Sequence, residues 1–150
     1  MARATARSRK GPIENDLAAV HRSAIAGAGV FATADIPPRH VLEDVTRPFV
    51  SYAQVPQKGE PGYGHAVQVR RGRWLLLDHS VFYYLNHSCE PNTRLEIRGA
   101  SVKVITSKKV RRGQELTLDY ATLVFRDDPY EFRCTCASQR CRGLVKGTRR

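Results

Sequence analysis

Asn86-His87-Ser88-Cys89-Glu90-Pro91-Asn92 is the stretch that decides how this chain is read. It sets an amide, an imidazole, a hydroxyl and a thiol side by side, closes on a proline that stops any helix, and follows the aromatic run Phe82-Tyr83-Tyr84-Leu85. An element made only for packing has no use for that set of groups. The segment predicts a turn that holds a ligand on one side and a metal on the other.

Outward from it, the C-terminal side carries a clear hairpin. Leu95 and Ile97 alternate with Arg94, Glu96 and Arg98, Gly99 turns the chain, and Val102 and Val104 alternate with Lys103 on the return. Leu116 and Leu118 form a further strand that runs into Asp119-Tyr120. On the N-terminal side, His65–Val69 and Trp74–Leu77 flank Arg70-Arg71-Gly72-Arg73 as a second hairpin. Asp78–Leu85 has room for a brief helix. Leu17–Phe31 reads as strands joined by turns at Gly27 and Gly29, and Val41-Leu42 and Phe49-Val50 as two more short strands. Pro56, Gly59, Pro61, Gly62 and Gly64 mark a loop. No internal repeat occurs.

With 150 residues and a hydrophobic fraction of 41%, the chain has the size of one globular domain. No apolar run reaches the roughly 18 residues of a spanning helix, and the basic N-terminus lacks the apolar stretch of a signal peptide. The expectation is an intracellular protein, cytoplasmic or associated with a nucleus or nucleoid, with no membrane partner. In a reducing compartment its four cysteines are metal ligands or free thiols rather than disulfides. The net charge of +11 points to polyanions, and much of the excess sits at the termini, in Arg3, Arg7, Arg9 and Lys10 and in Arg142, Lys146, Arg149 and Arg150. No helix-turn-helix or zinc-finger spacing accompanies it.

Three further places gather chemistry. Gly27-Ala28-Gly29 lets backbone approach a ligand, but it lacks the third glycine and the helix of a dinucleotide fingerprint. Gly113 to Tyr120 ends a strand on an acid and a tyrosine. Cys134-Thr135-Cys136 and Cys141-Arg142-Gly143 crowd three thiols into one short segment.

These four groups, in this order, make residues 21–143 resemble a SET-domain protein lysine methyltransferase with a zinc-binding post-SET segment, of the compact kind found in small bacterial or viral members. The resemblance implies a mostly β (α+β) fold of several short sheets, with a threaded C-terminal segment and a small zinc-bound tail. It divides the chain into a flexible basic arm (1–16), a catalytic domain (17–126) and a post-SET segment with a basic tail (127–150). It implies methyl transfer from S-adenosylmethionine to a lysine of a protein, such as a histone-like one. Tyr120 would be catalytic, Ala28, Gly29, Asn86, His87 and Leu144 would meet the cofactor, and Cys89, Cys134, Cys136 and Cys141 would hold a structural zinc.

Methyl transfer from a sulfonium to a neutral amine asks for alignment more than proton exchange, which accords with the absence of a carboxylate pair or a Ser-His-Asp set. Tyr83, Tyr84 and Phe125 are candidates for a lysine channel, or core aromatics. The sequence departs from the family at His65, where a tyrosine is common, with Tyr63 out of register. It departs again at Leu118, where a smaller side chain than the usual aromatic leaves room for more than one methyl group. The alternative is a non-catalytic zinc-stabilised module that binds peptide, or nucleic acid through its basic termini. The arm itself looks like a histone tail, with Lys10 as an amine for automethylation.

Overall fold

The computed structural model describes residues 16–78 and 80–150; the basic arm and Lys10 lie outside the described residues. The described residues fold as short strands in several small sheets, with one α-helical turn and two 3₁₀ turns. β1 (Ala18–Arg22) and β2 (Ala28–Ala32) form the first hairpin. β3 (Val41–Thr46) pairs with β8 (Ser101–Thr106), which also pairs with β7 (Thr93–Arg98). β4 (Ala66–Arg70) pairs with β5 (Arg73–Leu76). A single α-helical turn, α1 (Val81–Tyr84), leads into the two-residue β6 (Asn86–His87).

β9 (Glu115–Leu118) is the strand on which the site depends. It lies between β2 and β6 in the sheet order β1-β2-β9-β6, antiparallel to β2 and parallel to β6. Asn86 stands opposite Thr117 and His87 opposite Leu118. The C-terminal segment forms its own ribbon of β10 (Glu131–Arg133) and β11 (Leu144–Lys146).

The β7–β8 hairpin follows the alternation in its sequence. Leu95 faces Val104 and Ile97 faces Val102, and Gly99, at φ 57°, supplies the positive φ that a two-residue hairpin loop demands. Val50 makes only an isolated bridge to Trp74 where a short strand is expected. Pro48, just before it, has no N–H to donate to a ladder. The core collects Val30, Ile36, Val67, Leu75, Leu77, Leu85, Leu116 and Leu118, all buried, so both sheet hairpins and β9 share one apolar interior. Among the described residues no helix is long and apolar enough to cross a membrane.

The basic C-terminal residues are engaged with the domain. Lys146 lies 3.4 Å from Glu131, Thr148 N–H donates to Ala121 O at 2.9 Å, and the Arg149 guanidinium sits 4.6 Å from the Phe125 ring while donating to the Gln68 carbonyl.

Candidate active site and metal centre

The segment 86–93 wraps β9 with side chains as well as backbone. Asn92 bonds β9 as a neighbouring strand would: its Nδ2 donates to Glu115 O and its Oδ1 accepts from Thr117 N, both at 2.8 Å. Thr93 Oγ1 donates to Thr117 O at 2.7 Å, and Ser88 N–H to Leu118 O at 3.1 Å.

Glu115 joins the glycine turn to the Asn-His segment. Its carboxylate accepts from Ser23 Oγ at 2.7 and 2.8 Å and from Asn86 Nδ2 at 2.8 Å. The same Asn86 amide donates to Ala26 O at 3.1 Å and Ala28 O at 3.0 Å. A Cβ on Gly29 would lie 2.1 Å from Glu115 Oε1, so the close approach of carboxylate and backbone is what requires glycine there. Glu115 entered the sequence reading only as part of the Gly113–Tyr120 motif and Ser23 not at all; the fold brings the two together. The available signal is a lone acid opening an otherwise apolar strand.

Tyr120 follows β9 at the start of a 3₁₀ turn capped by Asp119, whose carboxylate accepts from Ala121 N at 3.0 Å. The phenol donates to Leu85 O. Burial, with a lesser push from the Glu115 charge, raises its pKa, so the hydroxyl stays protonated at neutral pH. Its ring meets His87 at 5.4 Å and Phe132 at 5.7 Å, both between centroids. Ile25, Ala26, Asn86, His87, Tyr120, Phe132 and residues 133–136 line an open cavity of about 280 Å³. Phe132, from the β10–β11 ribbon, is a wall residue that no motif announced. Leu144 is 44% exposed on β11, opposite Arg133 of that lining.

The expected channel aromatics divide. Tyr83 packs on His65 with centroids 4.2 Å apart and on Tyr84 at 5.1 Å, and burial lowers the His65 pKa. Phe125 is covered by Arg149. Tyr63 meets Tyr130 at 5.4 Å.

The thiols converge below the cavity. Ligand atoms of His87, Cys89, Cys134 and Cys136 lie within 4.8 Å of one another, with Cys89 Sγ and Cys134 Sγ 3.7 Å apart. Zn–S bonds of about 2.3 Å in a tetrahedron give an S···S edge of roughly 3.8 Å, so this spacing fits a thiolate-bound zinc. Cys141 lies outside that group and is exposed, with its thiol 3.9 Å from the Cys134 carbonyl oxygen. The Cys136 thiol is pushed down to about 6: burial opposes this and is outweighed by donation from Cys89 N–H and Ser138. Cys134 is pushed up to about 12, chiefly by burial and further by the neighbouring thiols. Several thiolates this close repel one another unless a cation joins them.

His87 can be assigned a role within that group by its hydrogen bonds. The Tyr120 backbone N–H can only donate, and it points at His87 Nδ1 from 3.0 Å. The neutral ring therefore carries its proton on Nε2, which lies 3.3 Å from Cys89 Sγ. A nitrogen that donates to sulfur has no lone pair for a metal. The histidine fits as a support for the Cys89 thiolate, beside the three clustered sulfurs of Cys89, Cys134 and Cys136. Arg142 adds two more bonds to Cys89 Sγ, from N and Nε at 3.4 Å each, and its Nη2 donates to Asp119 Oδ1 at 2.6 Å. The Cys89 sulfur is thus bridged to the Asp119-Tyr120 turn twice, through an imidazole and through a guanidinium.

The fold and these motifs match known proteins. Residues 27–121 match the SET domain family, and the chain belongs to it. Histone-lysine N-methyltransferase trr of Drosophila melanogaster is 30% identical over 132 residues, which is 81% of this chain and 5% of that protein. Histone-lysine N-methyltransferase ash1 of the same organism is 38% identical over 69 residues, 43% of this chain and 3% of that protein. The chain thus spans a small fraction of the length of these curated relatives. Among solved structures, KRYPTONITE in complex with mCHG DNA and SAH superposes with a TM-score of 0.67 at 21% identity, covering 91% of this chain and 31% of that one, which bears on the fold. The cysteine cluster accords with a post-SET zinc segment following the SET domain.

Proposed function

We propose that this chain is an S-adenosylmethionine-dependent protein-lysine N-methyltransferase. The observation that carries the reading is the position of Tyr120, whose hydroxyl is anchored on Leu85 O at the wall of the cavity that Asn86 and His87 also line. Ala28, Gly29, Asn86 and His87 are the cofactor contacts, with Leu144 as the apolar cover of the adenine. Bound S-adenosylmethionine supplies a methyl group on a sulfonium, open to attack by a neutral amine.

The protein's part is alignment. The Tyr120 hydroxyl spends its proton on Leu85 O and keeps its oxygen lone pairs for an amine N–H, which turns the nitrogen lone pair toward the methyl group. Phe132 and the buried face of Tyr120 exclude water and disfavour an ammonium ion, so the substrate lysine loses its proton before reaction. The zinc, held by Cys89, Cys134, Cys136 and Cys141, is structural: it ties the 131–146 ribbon over the cavity.

The division into a basic arm (1–16), a catalytic domain (17–126) and a zinc-bound segment (127–150) belongs to this reading. So does a histone-like substrate, which relatives named histone-lysine methyltransferases favour. The charge of +11 makes nucleic acid a partner that brings a basic enzyme to a basic substrate, within a nucleus or nucleoid.

The test is incubation of zinc-loaded protein with labelled S-adenosylmethionine and mixed histones, followed by mass-spectrometric mapping. Label is expected on lysine and is lost in Tyr120→Phe, which keeps its fold and its calorimetric cofactor binding. Absence of cofactor binding by the parent protein would overturn the enzymatic reading and leave the zinc-stabilised binding module.

A further inference from the structure

A second cavity, of about 250 Å³, opens beyond the aromatic row Tyr120–Phe132–Tyr130, and Tyr120 is not among its walls. It lies between the 3₁₀ turn over Tyr52–Gln54, the loop to Gly64, β4–β5 and residues 123–130. At about 250 Å³ it has room for a single long side chain.

Four aromatic rings wall it in two tilted pairs. Tyr52 and Trp74 have centroids 5.8 Å apart at 48°, and Tyr63 and Tyr130 5.4 Å apart at 50°. Gly64, at φ +84°, makes room for the last ring: a Cβ there would stand 3.1 Å from the Tyr130 hydroxyl. Asp128 lies in the lining and is fixed, with Oδ1 accepting from Tyr130 N at 2.8 Å. Val55, Ala66, Leu123 and Val124 complete the apolar floor.

Ring faces carry negative potential and attract a cation that has shed its water. Burial first, and then the negative charges of Asp128 and Glu131, raise the Tyr63 pKa, so both acids contribute negative potential at that hydroxyl. Lys58, also at the lining, is exposed, where its charge is screened by solvent. An unmodified lysine ammonium holds its hydration strongly. Methylation replaces its N–H groups with apolar ones and leaves the charge, which suits walls that offer π faces and a single carboxylate.

We propose that this pocket binds the trimethylated side chain of a lysine on a partner protein, as a reading site separate from the cavity beside Tyr120. The proposal rests on the walls of the pocket and does not require that the chain transfer methyl groups.

Trp74 is the single tryptophan of the chain and lines the pocket, so its fluorescence reports on the site. The full-length zinc-loaded protein is titrated with four peptides of one histone-like sequence. They carry lysine, monomethyl-lysine, trimethyl-lysine, or a neutral isostere with carbon in place of the charged nitrogen. Calorimetry on the same peptides provides the affinities if the emission changes little. Trimethyl-lysine is expected to bind about tenfold more tightly than lysine and than the isostere, the discrimination that a desolvated cation gains over aromatic faces. Tyr52→Leu and Asp128→Asn should each remove most of that preference and leave Trp74 in place as the probe. Tyr52 is 46% exposed, so its replacement leaves the core intact. Equal binding of the isostere would make this an apolar pocket only. Indifference to methylation, or a preference that survives both substitutions, would overturn the proposal. Label transfer in the methylation assay is scored separately, so either result can fail alone.

Discussion

Gly29→Ala tests the junction between the glycine turn, β9 and the Asn-His segment. The backbone of Gly29 does not lie at positive φ, so alanine is free of conformational strain there and any loss comes from contact. The new Cβ would fall 2.1 Å from Glu115 Oε1, 2.9 Å from its Cδ and 3.0 Å from Asn86 Nδ2. The carboxylate must move, although Ser23 Oγ and Asn86 Nδ2 hold it. Hydrogen bonds to a charged acceptor contribute about 1.5–3 kcal/mol each when buried. This group is half-buried, so displacing it from both donors costs about 3 kcal/mol in total. The entropic gain of Gly→Ala returns about 0.5 kcal/mol, for a net loss of about 2.5 kcal/mol. In a Glu115→Ala background the obstacle is absent, and Gly29→Ala should be neutral or slightly stabilising. Urea unfolding of the four proteins at fixed zinc should therefore give a coupling near 3 kcal/mol. An equal effect of Gly29→Ala in both backgrounds, within about 0.5 kcal/mol, would mean that the carboxylate does not exclude a side chain at Gly29.

Zinc stoichiometry separates the two candidates for the fourth ligand. Cys141→Ser and Cys136→Ser should both lose stoichiometric zinc, whereas His87→Ala should retain it with about 10–100-fold weaker affinity in chelator competition, as loss of a supporting hydrogen bond does. Asn92→Ala removes both side-chain bonds to β9 and should lower stability by about 2 kcal/mol in urea melts, with Asn92→Asp recovering little because it cannot donate to Glu115 O. Burial lowers the His65 pKa in the folded protein, so the unfolded chain takes up a proton that the folded one resists. This contribution is complete above the unfolded pKa of about 6.5 and is lost as pH falls below it. A His65→Asn variant should show a flatter fall in urea midpoint between about pH 6.5 and pH 5.

The hairpin of β7 and β8 is legible in sequence because alternation and a turn glycine agree locally, and one face of it is buried. The four motif groups were legible as chemistry, and their order carried the fold. What escaped reading depended on partners far along the chain. β6 is two residues long and has no periodicity to detect; it is a strand because Thr117 and Leu118 come alongside it. β10 and β11 pair Phe132 with Val145 across the cysteine loop, and neither tripeptide announces a strand. Glu115 belonged to the Gly113–Tyr120 motif in sequence, but its partners Gly29 and Asn86 come beside it only in the fold. His87 stood among the metal-ligating groups by type and proximity, and only the direction of the Tyr120 N–H distinguishes a support from a ligand.

The place of β9 in the sheet also sets an order in time. β1 and β2 leave the ribosome long before residues 115–118 exist, and at about 5–20 residues per second the Val30-Phe31 edge waits several seconds for the strand that covers it. During synthesis that edge is open to any extended segment, including one from a second nascent copy. β9, made long after β2, is the strand that the first hairpin needs, so the cavity beside Tyr120 forms only once synthesis has passed that point.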